Sequence, residues 1–246
     1  MLMFGAILAG LLTFTEYASN APSFIEFRSA PPFNRIRFVP LIVTLLLVSL
    51  CVRDTVMPGP ISGRVASLGI DIGRAMDFPF SPVRLMVLLA PESATDAQRA
   101  LFGALAGLAF CTGLFALVIF APLIRFMRWP IRNGAFNVWI NLPLFDPTAG
   151  GDVLHRLKRD ASLNIVLGFL APFLIPAVVK GASDLFDPIL MSDPQTLIWT
   201  MSAWAFLPAS MIMRGIAMAR IADMIEEKRR RAYAEAEIEN GVMQPI

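Results

Sequence analysis

Residues 100–124 read ALFGALAGLAFCTGLFALVIFAPLI, without a single charge. A helix rises about 1.5 Å per residue, so this run outspans the ~30 Å hydrocarbon core of a bilayer. A water-soluble fold has no place for so long an unbroken apolar surface, and the run alone points to lipid as the solvent. Composition agrees. The chain is 56% hydrophobic and 16% charged, against about 25% charged residues in soluble domains.

Further apolar runs divide the chain. Transmembrane spans are expected near residues 2–16, 37–53, 99–124, 162–180 and 196–214. No Lys or Arg precedes the first run, whereas a cleaved signal peptide needs a basic start; the run is read as a retained span. The first two runs are short and call for an extra turn or a tilt against neighbours. Pro172, Pro176 and Pro208 fall inside the last two. Prolines are tolerated there because adjacent helices can satisfy the carbonyls they free. The expected fold is therefore all-α: a polytopic membrane helical bundle of about five transmembrane helices. A transmembrane domain over 1–218 is followed by a cytoplasmic helical tail over 219–246.

Positive charge sets the expected orientation. Arg28, Arg35 and Arg37 follow the first span. Arg125, Arg128, Arg132, Arg156, Lys158 and Arg159 lie in a surface loop over 125–161. Arg220 and Lys228 to Arg231 follow the fifth span, while Asp184, Asp187 and Asp193 mark the turn before it. The positive-inside rule places the basic segments in the cytoplasm, with the N-terminus outside and the C-terminus inside. Residues 53–99 run against the rule, since they carry five Arg on the outer side.

That outer segment has a pattern of its own. Ile61, Val65, Leu68, Ile72 and Met76 recur at helical spacing, which predicts an amphipathic interfacial helix within 61–91. Ser81 followed by Pro82 starts a second short helix, and Thr95 with Gln98 forms a capping box ahead of the third span. Farther on, Asp146 and Pro147 read as a turn, and Asp152 as the cap of a helix that runs into the fourth span. In the tail, Glu226 with Arg230 and Glu227 with Arg231 stand at i,i+4 spacing.

Signs of chemistry are sparse. Ionisable groups near the spans are Glu16, Lys180 and Arg214, each at a span end where it can snorkel. His155 is the single histidine, and Cys51 and Cys111 fall in apolar runs as small buried thiols. Asp146, Asp152 and Asp160 match no calcium loop, and no phosphate-binding or hydrolase motif occurs. No cofactor or metal is expected, and a net charge of +2 gives no basic excess for nucleic acid.

The positive signals concern packing. Gly103 and Gly107 form a GxxxG pair that lets another helix approach closely. Asn164, Ser202 and Ser210 offer interhelical hydrogen bonds. Trp129, Trp139, Trp199 and Trp204 fit aromatic belts, and Lys228, Arg229, Arg230 and Arg231 fit lipid headgroups.

The stretches APSFIEFRSAPPFNRIRF, RNGAFNVWINLPLFDPTAGGD and PQTLIWTMSAWAFLPASMIMRGIAMARIADMIEEKRRRAY resemble uncharacterised multi-pass inner-membrane proteins of alphaproteobacteria. The resemblance implies a bacterial inner membrane and brings no activity or site residues with it.

The leading expectation is a non-catalytic accessory, scaffold or assembly subunit in contact with the bilayer and with other integral membrane proteins or its own copies. Contacts are expected at Gly103, Gly107 and Asn164 in the membrane, and at Trp139, Asp146 and Arg156 on the inner surface. The alternatives are a small transporter or channel-like protein using Glu16, Asn164 and Arg214, and a membrane enzyme using Asp146, Asp152 and His155.

Overall fold

The computed structural model describes residues 2–20, 23–127, 129–130, 136–146, 148, 150–183 and 193–242. Among them the chain is all-helical. In order come α1 (Leu2–Ala18), α2 (Phe33–Val56), α3 (Pro60–Met76), α4 (Pro82–Val87), α5 (Asp96–Phe126), α6 (Val138–Asn141), α7 (Val153–Ser183) and α8 (Pro194–Val242). Four of these, α2, α5, α7 and α8, are long and apolar enough to cross a membrane. The protein is a helical membrane bundle. The first expected span is α1, whose 17 residues rise about 25 Å, a few ångströms short of the hydrocarbon thickness.

Local chemistry starts α4, α5, α7 and α8. The Ser81 hydroxyl accepts the Arg84 N–H at 2.9 Å, with Pro82 next in line. The Gln98 side chain accepts the Thr95 N–H at 2.8 Å, and Thr95 Oγ1 accepts the Gln98 N–H at 3.3 Å. Asp152 accepts from the Leu154 N–H at 3.2 Å, and Asp193 from the Thr196 N–H at 2.8 Å. Each acceptor satisfies a donor that the first helical turn leaves open. Asp54 does similar work between α2 and α3, accepting from Gly59 N–H at 3.2 Å and Ser62 Oγ at 2.6 Å.

The chain divides into two compact units. One comprises Met1–Arg35, Pro122–Ser162 and Ile216–Ile246; the other comprises Ile36–Ala121 and Leu163–Gly215.

The second unit is organised around α5. Every residue from Phe102 to Ala109 is buried, so this stretch is enclosed on all sides, as the centre of a bundle must be. Val48 and Cys51 of α2, Val83 and Met86 of α4, and Met201 and Trp204 of α8 close around it. On α3 the buried residues are Ser62, Gly69 and Gly73. Ile61 and Leu68, two members of the expected apolar face, are exposed, while Val65, Ile72 and Met76 are partly covered. The helix is turned toward its small side because glycines let two backbones touch, which gains more dispersion contact than a stripe of large side chains held apart.

The first unit has a small aromatic core. Phe27 and Phe33 meet with ring centroids 4.2 Å apart. Trp129 stacks on Phe33 at 6.1 Å, and its indole N–H donates to the Ala30 carbonyl at 2.9 Å. Trp129 is thus a core residue rather than part of a belt.

Candidate functional site

Three places concentrate the polar and close-packed residues. The first is the base of α1. Its carboxylate acceptor, Glu16, is buried and gathers the N–H groups of Ser23 at 3.0 Å, Phe24 at 2.9 Å and Ile25 at 3.0 Å. Arg28 donates to the Glu16 carbonyl at 2.7 Å and also to the Ser19 carbonyl. Asn34 donates to the Glu26 carbonyl at 2.9 Å. Asn141, at the end of α6, binds the same segment. Its backbone carbonyl accepts from Phe27 N–H at 2.6 Å and its side-chain oxygen from Ser29 N–H at 3.0 Å. Phe27 is fully buried in the left-handed region, at φ 55°, a conformation a bulky residue keeps only when its surroundings over-determine it. Glu16, read from sequence as a span-end charge that can snorkel and as a residue of the transporter alternative, is here the acceptor that ties α1 to the following loop. Asn141 gave no sequence signal, because Phe27 and Ser29, which it binds, lie more than a hundred residues away.

The second place is the α3–α5 contact. A Cβ placed on Gly73 would stand 2.6 Å from the carbonyl carbon and oxygen of Gly103. One on Gly107 would stand 2.9 Å from the Cα and N of Gly73. The GxxxG pair of α5 meets a second such pair, Gly69 and Gly73, that the amphipathic reading of α3 passed over.

Beside this contact lies a cleft of about 230 Å³ between α3, α4 and the start of α5. Arg74, Arg84 and Arg99 line it together with Asp77. Arg84 holds Asp77 through both carboxylate oxygens, at 3.2 and 3.0 Å. Arg99 donates to the carbonyls of Ala94 at 3.3 Å and Glu92 at 3.1 Å.

The third is the surface formed by the start of α7 and the tail of α8. Lys158 pairs with Glu226 at 2.6 Å and Arg229 with Asp152 at 2.9 Å. Glu227 pairs with Arg231 as the spacing predicted. Glu226 is different: its hydrogen-bonded partner is Lys158 on another helix, where the spacing predicted Arg230. Arg229, expected at lipid headgroups, holds Asp152. The Asp152 carboxyl is drawn below the usual carboxylate range, first by the Arg229 hydrogen bond and next by the Leu154 N–H.

The remaining expected residues have definite places. Asp146 and Arg156 come together: Arg156 donates to the Asp146 carbonyl at 2.7 Å and lies 4.9 Å over the Phe145 ring. The Asp146 carboxylate closes a turn on the Thr148 N–H at 2.8 Å. Asp146 and Asp152 therefore serve the turn and the helix start, and His155 is exposed beside them. Asn164 and Arg214 sit half-buried on α7 and α8 in the second unit. Ser210 accepts from Arg37. Among the described residues no group of three His, Cys, Asp or Glu is placed to hold a metal. The Trp139 side chain, Arg128, Arg132, Asp184 and Asp187 lie outside the described residues.

Trp204 is buried, stacking on Phe110 at 5.9 Å, whereas Trp199 stays exposed as a belt residue would. No protein-family model, curated protein or solved structure matches the chain.

Proposed function

We propose that the protein is a non-catalytic accessory or assembly subunit that offers α1 to another integral membrane protein or to a second copy of itself. One observation carries this reading. Every residue from Met3 to Thr15 is exposed, with large apolar side chains running from 47% for Leu12 to 79% for Met3. The base of the same helix is fixed by Glu16 and its three backbone donors. An apolar helix held at one end and uncovered along its length is pre-organised for a partner, since little ordering entropy remains to be lost on docking. The resemblance to multi-pass inner-membrane proteins of alphaproteobacteria favours a bacterial inner membrane, and the charge pattern favours an N-terminus outside and a C-terminus in the cytoplasm.

A photo-crosslinking residue at Leu8 or Leu12, followed by gentle-detergent purification, tests the proposal. A discrete protein adduct, to a stoichiometric partner or to a second copy, is the expected result. Crosslinks to lipid alone at both positions would overturn it. Replacing residues 3–15 with an unrelated apolar helix should abolish co-purification while leaving the chain in the membrane.

A further inference from the structure

We infer that the cleft between α3, α4 and α5 binds a phosphate-bearing anion, with its guanidinium donors supplied by Arg74, Arg84 and Arg99. Three arginines from three separate helices line the cleft with one carboxylate, Asp77. Two of them are already fixed. Arg84 is held by Asp77 and Arg99 by the Ala94 and Glu92 carbonyls, and each keeps further N–H groups for a ligand. Among the described residues nothing bonds the Arg74 guanidinium. Planar forks held in place suit phosphate oxygens, which accept paired, charge-assisted hydrogen bonds.

The cleft is small and two-sided in character. At about 230 Å³ it falls below the ~300–1,000 Å³ of ordinary small-molecule pockets, and matches a headgroup better than a whole metabolite. Its other walls are apolar, from Val87, Leu88 and the Gly73–Gly103 contact. Immediately beside it Phe78 and Phe80 are exposed, Phe80 at 87%. Aromatic side chains standing free next to a basic cleft fit the headgroup level of a bilayer. The three arginines are also three of the five that run against the positive-inside pattern, so local recognition of an anion gives them a reason to be there. An anionic phospholipid and free inorganic phosphate share this chemistry.

The test uses the full chain, delipidated in a neutral detergent. Retention of phosphatidylglycerol and of phosphatidylcholine is read by native mass spectrometry. Thermal unfolding is followed with each lipid and with millimolar inorganic phosphate. The expected result is a preference of about tenfold for phosphatidylglycerol, lowered about tenfold by Arg74→Gln with Arg99→Gln; Arg74→Lys falls between. Both positions are exposed, so the variants are expected to fold, and thermal unfolding without ligand checks it. Changing Lys228, Arg230 and Arg231 to Gln separates the cleft from the tail and should leave the preference in place. Stabilisation by inorganic phosphate that is lost in the cleft variant assigns a free anion; stabilisation by the lipid alone assigns a headgroup. A preference unchanged in the cleft variant, removed by the tail variant, or absent for both probes overturns the inference.

Discussion

The indole N–H of Trp204 on α8 donates to the carbonyl of Pro172 on α7 at 3.1 Å. That carbonyl would ordinarily pair with the N–H four residues on, and residue 176 is a proline, which has none. One helix thus supplies the donor that another lacks. Trp204→Phe should keep the stacking on Phe110 and lose this bond, destabilising the bundle by about 1–3 kcal/mol. In a Pro176→Ala background the backbone N–H returns, and the same substitution should cost clearly less. Denaturant titrations in micelles for the four proteins measure the coupling; equal costs in both backgrounds would show that the bond does not matter.

The glycines of α5 should separate under substitution although they belong to one motif. Gly107→Ala, and its counterpart Gly73→Ala, place a methyl group within 3 Å of facing backbone, and overpacking of that kind costs roughly 1–3 kcal/mol. A Cβ on Gly103 meets only Val87 Cγ2, at 3.6 Å, an ordinary contact. Gly103→Ala should be neutral or slightly stabilising, since glycine weakens a helix interior by up to about 1 kcal/mol. Thermal unfolding in detergent distinguishes them, and a Gly103→Ala variant as damaged as Gly107→Ala would contradict the geometry.

Glu16→Gln bears on both the fold and the transporter alternative. The Ser23, Phe24 and Ile25 N–H groups all donate to Oε2, and Ser23 also to Oε1. An amide carries no charge and puts an NH2 donor in place of one acceptor, so it holds these three N–H groups more weakly than the carboxylate does. Proteolytic cleavage near Ser19 should quicken several-fold, with cleavage elsewhere unchanged. If the variant instead altered ion or solute uptake with its proteolytic pattern intact, Glu16 would be a transport residue.

The α7–α8 surface should loosen in acid. The folded-state pKa of Asp152 is lowered, so its contribution is fully present above the ordinary aspartate range near pH 4 and is lost as pH falls through the folded value. High salt should act in the same direction, since both ion pairs are exposed. Spin labels at His155 and Tyr233 would report a broader distance distribution below about pH 4. Arg229→Gln should show that breadth already at neutral pH, and a distribution indifferent to the variant would remove the pair from the account.

Local features were legible from sequence. Apolar runs, the caps at Ser81, Asp152 and the Thr95–Gln98 box depend on neighbours within a few positions, and α4, α5 and α7 begin where that chemistry puts them. Facing directions were harder to read. Trp129 stands just past the end of an apolar run and Trp204 well inside one, and neither position tells a belt residue from a core residue; their burial and their partner carbonyls, of Ala30 and Pro172, decide it. On α3 the apolar period drew attention away from Gly69 and Gly73, because a glycine adds nothing to an apolar pattern while permitting the tightest contact. Glu226 chose a lysine 68 positions away over the arginine one turn along. The bonds of Asn141 to Phe27 and Ser29 cross more than a hundred residues, and the arginine-lined cleft takes shape only where three consecutive helices fold against one another.

The carboxylate of Glu16 grips main-chain N–H groups, and every residue but proline carries one. The side chains of Ser23, Phe24 and Ile25 take no part in that grip. Descendants of this chain could exchange all three and rewrite the apolar letters of α1, yet keep the helix anchored as long as one acid closed it. Kinship among such proteins would then be written in a single glutamate and a spacing, and a comparison that scores residue identity along the strand would pass over it.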